Sequence, residues 1–126
     1  FMDRHINFEV ATEKFYEVLF AKLPEVEAMF GDLKYTKLMF MSVLRSIGSL
    51  EDGDRQLKEY MELLGKKHRG YGLTEQHMEI GRQAFEAAIE AGGTNLSSER
   101  KEHYLDAFTE LERMMGFDVN VDGEHG

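Results

Sequence analysis

Few side chains in this sequence combine reactive chemistry with a setting that lets them act on a ligand, and His68 leads them. It closes a helical stripe of Leu57, Met61, Leu64 and His68 at spacings of four, three and four, which turns its imidazole toward the inside of the fold. Lys66, Lys67 and Arg69 surround it in sequence, and Gly70 and Gly72 come next. An inward imidazole is a natural metal ligand. To bind a haem iron axially it needs an apolar stripe above it, a chain reversal after it and a facing helix held slightly apart. The stripe and the glycines supply the first two, and the helix expected near Leu33 to Leu50 is the candidate for the third. A plainer reading stands beside this one. Lys66, Lys67, His68 and Arg69 together complement the negative end of a helix dipole, and a histidine in that role needs no ligand.

The elements that must position His68 all read as helices. Helix one is expected from about Asn7 to Lys22, with Phe8, Ala11, Phe15 and Leu19 on one stripe and Thr12, Tyr16, Phe20 and Leu23 on a second beside it. Pro24 fits the first position of a short segment ending at Phe30, and Gly31 with Asp32 marks the turn after it. From about Leu33 to Leu50, Leu38, Phe40, Met41, Val43, Leu44 and Ile47 spread over more than half the circumference, so this helix is expected to be central. The helix carrying His68 runs from about Asp54 to Arg69. Thr74 is the cap candidate for the next, which reaches about Ala91 and aligns Met78, Gly81, Phe85, Ala88 and Ile89. Glycine inside a helix costs about 1 kcal/mol against alanine, so Gly81 is expected to mark a close helix crossing. Ser97 or Ser98 caps the last helix, to about Met115, with Tyr104, Ala107, Phe108, Leu111 and Met114 inward.

Composition bounds the function. The 126 residues fit one domain able to bury a single core, and helix formers dominate, with one proline and eight methionines. A formal charge of −9 argues against nucleic acid and anionic membrane surfaces as partners. No apolar run reaches the length of a membrane span and no signal-peptide pattern is present, which fits a cytoplasmic protein. The absence of cysteine excludes disulfides, thiolate metal sites, cysteine nucleophiles and covalent haem attachment through C-x-x-C-H.

The segment LGKKHRGYGLTEQHMEIG, Leu64 to Gly81, resembles the proximal side of bacterial single-domain globins and of the globin half of flavohaemoglobins. Their pattern is a haem-ligating His, then G-V or G-L, then H-Y, two residues, and V-G. Here the ending is H-M, one residue, and I-G, one residue short. FYEVLFAKLPEVEAMF, Phe15 to Phe30, looks like the distal B helix and CD corner of that family, and KLMFMSVL, Lys37 to Leu44, is similar to its E helix. The resemblance implies an all-α globin fold, a 3-over-3 helical sandwich over residues 1–117 with most of the first helix missing, and an acidic tail at 118–126. It implies haem b as cofactor, with His68 the proximal iron ligand, Tyr16 the distal tyrosine, Phe30 packed on the haem edge, Leu38 over the iron, and Leu73 touching the porphyrin from the proximal side. Lys34 falls where the family usually has Gln or His; a shift of one brings Tyr35 there and Met39 over the iron. The Leu64 carbonyl is the candidate to orient His68 through its other ring nitrogen.

The function implied by this resemblance is reversible binding of O2, NO or CO by a carrier, store or gas sensor. Two alternatives stay open: NO dioxygenase or peroxidase-like chemistry with an external reductase, and a haem-free globin-fold signalling domain. Met78 stands where flavohaemoglobins have a tyrosine that tunes the proximal imidazole, and no reductase segment comes after the last helix, which leans toward binding over turnover. His5, His77, His103 and His125 read as structural or solvent-facing. Phe1 before Met2 reads as a cloning remnant or a mark of excision. Asp118, Asn120, Asp122 and Gly123 match the opening of a calcium loop without its closing glutamate, so the tail reads as a solvated acidic end, and the chain as a possible domain of a larger protein.

Overall fold

The computed structural model describes residues 6–51 and 54–117. It is all-helical over those residues: α1 (Phe8–Lys22), a 3₁₀ helix (Pro24–Met29), α2 (Leu33–Ser49), α3 (Arg55–Arg69), α4 (Glu75–Gly92) and α5 (Ser98–Met114). The acidic tail and its calcium-like motif lie outside the described residues, as do His5 and His125.

Local chemistry explains most helix ends. Asn7, Asp32, Asp54, Thr74 and Ser97 each accept a backbone N–H of the first turn, which satisfies a donor the helix itself cannot. At α4 the cap is reciprocal. Thr74 Oγ1 accepts from the His77 N–H at 3.2 Å, and His77 Nδ1 accepts from the Thr74 N–H at 3.1 Å. His77 is thus a capping residue. After α3 the chain reverses through Gly72, whose φ of +71° lies in the left-handed region that glycine alone enters freely.

The core is organised around α4 rather than α2. α4 packs along α1 and α5, and buries Met78, Ala84, Phe85, Ala88 and Ile89. Burying Phe85 there contributes about 2 to 3 kcal/mol by area alone. The expectation of a central α2 is corrected. That helix buries only Leu44, Ile47 and Gly48, all toward its C-terminal end, while Tyr35, Leu38 and Met39 in its first half are exposed. An apolar circumference that wide covers a core on one side and leaves a greasy face on the other.

Glycine marks close approach at two helix crossings, neither of them at Gly81. A Cβ on Gly81 would meet only Phe108 at an ordinary 3.7 Å, whereas on Gly65 it would come within 2.7 Å of the Met114 Cβ. On Gly92 it would come within 2.7 Å of the Asn7 carbonyl oxygen and 2.8 Å of the Ala11 Cβ. Gly92 therefore seats the start of α1 on the end of α4, where the Asn7 N–H also donates to the Gly92 carbonyl at 2.7 Å.

Side chains of α5 hold the far end of α2. His103, fully buried, donates from Nε2 to the Ile47 carbonyl at 2.7 Å, and Arg100 donates to the Gly48 carbonyl at 3.1 Å. These carbonyls are among the last of the helix, where in-helix donors run out; that of Ile47 also takes the Leu50 N–H at 3.3 Å. Arg82 of α4 donates to Glu112 of α5 at 2.9 Å and to the Thr109 hydroxyl, with its guanidinium 5.3 Å from the Phe108 ring centre. α3 packs on α5, and α2 packs on α1 and α5; α2 and α3 make at most a marginal contact with each other.

Candidate functional site

His68 occupies the last turn of α3 and is half-buried. Its Nδ1 lies 2.8 Å from the Leu64 carbonyl oxygen, one turn back in the same helix. A carbonyl can only accept, so Nδ1 carries the proton and, in the neutral ring, Nε2 holds a lone pair. Nε2 has no hydrogen-bond partner among the described residues. Burial pulls the imidazole pKa below its ordinary 6.5; the bond to Leu64 opposes this shift and the nearby Lys67 charge adds to it. At neutral pH the ring is therefore uncharged, the form that ligates metals. Tyr71, just past the helix, sets its ring edge-on to the imidazole at 5.5 Å between centres.

Tyr16 sits on the inner face of α1, 5% exposed. Four aromatic rings enclose it: Phe15 at 4.9 Å, Phe20 at 5.6 Å, Phe40 at 5.7 Å and Phe30, edge-on, at 5.8 Å. Burial raises its phenol pKa far above the ordinary 10, so it stays neutral and can donate a hydrogen bond across the physiological range. No described residue accepts that bond.

Of the residues that the resemblance points to, the structure brings Tyr16 and Phe30 into contact and places Leu64 beside His68 through its carbonyl. Leu64 and Leu73 are half-buried and pack on the main core. Lys34 and Leu38 do not join them. Lys34 is exposed and Leu38, expected over the iron, is 55% exposed and outside the core. Neither does the one-residue shift bring Tyr35 or Met39 inward. The α2 residue that meets Tyr16 is Phe40, which also stacks on Phe15 at 4.4 Å and leads through Phe85 at 6.3 Å to Phe108. Leu44, one turn on, is completely buried. Phe40 is visible in KLMFMSVL; what selects it over Leu38 is the rotation of α2 on α1, which helical spacing alone leaves free. Met78 lies in the core and makes no described hydrogen bond to His68.

The Tyr16 and His68 halves are not joined by a hydrogen bond or ring contact among the described residues. Two open surface depressions lie elsewhere. One of about 530 Å³ borders Asn7, Phe8, Met41 and Arg45, and one of about 400 Å³ borders Asp54, Met61 and Glu110. Among the described residues no three His, Asp or Glu side chains converge as a site for a bare metal ion. Comparison of the chain with protein-family models, with curated proteins and with solved structures found no match.

Proposed function

We propose that this chain is a haem b-binding globin that takes up a diatomic gas reversibly. The observation that carries the proposal is the tautomer and setting of His68. Its Nδ1–H is committed to the Leu64 carbonyl, and its neutral Nε2 is without a partner among the described residues, at the end of a helix that does not pack on α2. A histidine serving only the helix dipole would gain from staying charged, yet burial here favours the neutral ring.

The His68 imidazole, with its Nδ1 held by the Leu64 carbonyl, has the donor chemistry that a haem iron takes. His68 would hold the iron, the Leu64 carbonyl would fix the ring and raise the basicity of Nε2, and Leu73 would meet the porphyrin on the same side. Haem iron with one imidazole supplies an open position for O2, CO or NO. Tyr16 would donate its free O–H to a bound gas that carries negative charge, and its aromatic surroundings would keep water from competing for that bond. Phe30 and Phe40 would hold the Tyr16 ring in place. Lys34 and Leu38 have no direct role in this version of the site. Turnover chemistry with NO or peroxide is the less favoured use, since the core position of Met78 leaves Tyr71 as the described ring against the imidazole.

A second reading has its own observation. The space around Tyr16, Phe40 and Leu44 is filled by protein rather than open, as a haem-free helical interaction domain would have it. Titration of the purified chain with haemin separates the two. The haem reading expects a stoichiometric Soret band, and binding no tighter than that of free haemin to an unrelated acidic protein would leave the haem-free domain standing.

A further inference from the structure

The first half of α2 leaves a face open to solvent that neither the core nor the proposed haem site uses. We propose that Lys34, Tyr35, Leu38, Met39 and Arg45 form a docking face for an acidic amphipathic helix of another protein, an inference that does not rest on the haem reading.

Spacing puts these residues on one face. At about 100° per residue, Lys34, Leu38 and Arg45 fall within about 40° of one another around the helix, and Ser42, Tyr35 and Met39 widen the sector to about 140°. Phe40, Leu44 and Ile47, which pack in or against the core, all fall on the opposite half of the circumference. Exposure agrees with the spacing. Tyr35 is 60%, Leu38 55% and Met39 41% exposed, and Lys34, Ser42 and Arg45 are exposed with them. Three of the seven exposed large hydrophobics of the described chain thus stand within five consecutive positions, a clustering that marks an interaction surface where single surface apolar residues would not.

Charge is the second observation. α2 is the one described helix with no Asp or Glu in it, and it has three cations, so the rest of the chain sets twelve basic residues against twenty-four acidic ones. Lys37 is committed to Glu13 at 3.0 Å. Lys34 and Arg45 reach no carboxylate among the described residues. Arg45 lays its guanidinium 5.1 Å from the Phe8 ring centre, which steadies it at the surface and leaves its charge uncompensated. Glu9 borders the same depression as Arg45 without pairing with it.

These charges select the occupant. A second copy of the chain fits badly: antiparallel pairing of two α2 helices centred on Met39 and Phe40 sets Lys34 of one copy against Arg45 of the other, and parallel pairing sets each cation against itself. Two cations also fall short of the cluster of about four to eight that holds a segment on anionic lipid, and the acidic remainder of the chain repels such a surface. An acidic helix meets both demands. Lys34 and Arg45 are eleven residues apart, about 16 Å along the axis at 1.5 Å per residue, so a helix lying alongside α2 matches them with carboxylates eleven positions apart. Apolar residues between those carboxylates, repeating every three or four positions, cover Tyr35, Leu38 and Met39. The repulsion from the rest of the chain favours the orientation that meets α2.

The test uses the full chain and a synthetic helical peptide of alanine and glutamine, with two glutamates eleven positions apart and leucines three, four and seven positions after the first. A twin with glutamine for both glutamates is the control, and binding is followed by calorimetry and by amide chemical shifts. At an ionic strength of about 20 mM the wild type is expected to bind the glutamate peptide about fivefold or more tighter than the twin, a preference that about 300 mM salt erases. Shifts should centre on Lys34 to Arg45. K34E/R45E is expected to lose the preference and to bind the glutamate peptide about tenfold or more weakly. L38S/M39S should weaken both peptides by about tenfold or more. K58E/K66E makes the same change of net charge on exposed positions of α3 and should retain most of the affinity. Equal binding of the two peptides, equal weakening by the two charge variants, or no binding of the glutamate peptide overturns the proposal. So does a dimer of the chain, seen by sedimentation, that L38S/M39S dissolves, since the face would then belong to a second copy. Movement of the Tyr35 to Arg45 shifts by D118N/D122N/E124Q in the peptide-free chain would give the face to the chain's own acidic end, and overturns it too.

Discussion

Tyr16→Phe is expected to move stability and function in opposite directions. In the ligand-free chain the Tyr16 ring is buried among four phenylalanines, and its hydroxyl donates to nothing described. Leaving such a donor unmade costs roughly 1 to 3 kcal/mol. The oxygen is not wholly sealed from solvent, since no fully buried side-chain polar atom lacks a partner among the described residues, and this places the cost at the low end. Removing the hydroxyl keeps the ring, its packing and its apolar burial, so no cavity larger than one oxygen forms. The ligand-free variant is therefore expected to gain about 1 kcal/mol, a rise in Tm of about 3 to 6 °C for a domain of this size. The same variant loaded with haem is expected to release O2 at least several-fold faster, because the donor to the bound gas is gone. Thermal unfolding by circular dichroism and stopped-flow O2 displacement by CO measure the two effects. A fall in Tm of similar size would mean that the hydroxyl is satisfied within the fold. An unchanged off-rate would remove Tyr16 from the gas site.

Three further outcomes rest on the same geometry. Acidification should destabilise the protein through His68. Its folded pKa lies below the unfolded 6.5, so the unfolded chain binds more protons, and stability is lost as pH falls below about 6.5 toward the folded pKa; urea titrations at pH 7.5 and 5.5 should show a smaller loss for His68→Gln than for the wild type. Gly92→Ala forces a Cβ against the Asn7 carbonyl and Ala11 and should cost about 1 to 3 kcal/mol, whereas Gly81→Ala meets no close neighbour and should gain up to about 1 kcal/mol in helix propensity; chemical unfolding of the pair checks the contrast. Arg82→Leu strips Glu112, which is 10% exposed, of its guanidinium and should cost about 2 kcal/mol, with Glu112→Gln costing less because the amide oxygen still accepts; the same unfolding assay ranks the two.

The helices are legible in the sequence because their signals are local. Asn7, Asp32, Asp54, Thr74 and Ser97 stand at the caps, glycine follows α3, and the spacing of Leu57, Met61, Leu64 and His68 points the imidazole inward without reference to any other element. The Leu64 carbonyl beside His68 is equally readable, being a contact one helical turn long. Long-range choices are not. Whether Phe40 or Leu38 faces Tyr16 depends on how α2 is rotated against α1, and both residues are apolar. Whether Gly65, Gly81 or Gly92 sits at a crossing depends on the axes of two helices, which spacing within one cannot give. His103 shares a stripe with Ala107, four residues on, so its burial is open to inference, but its partner is a carbonyl of a helix 56 residues away in sequence.

The central claim is that His68 holds a haem, and the ferrous spectrum of haem-loaded protein tests it most directly. The wild type should give a stable ferrous deoxy form with a single histidine ligand, converted by CO to a sharp, shifted Soret band. His68→Ala should lose the haem on desalting and recover both spectra only when imidazole is added. A His68→Ala protein that keeps haem and the wild-type ferrous and CO spectra without imidazole would contradict the account.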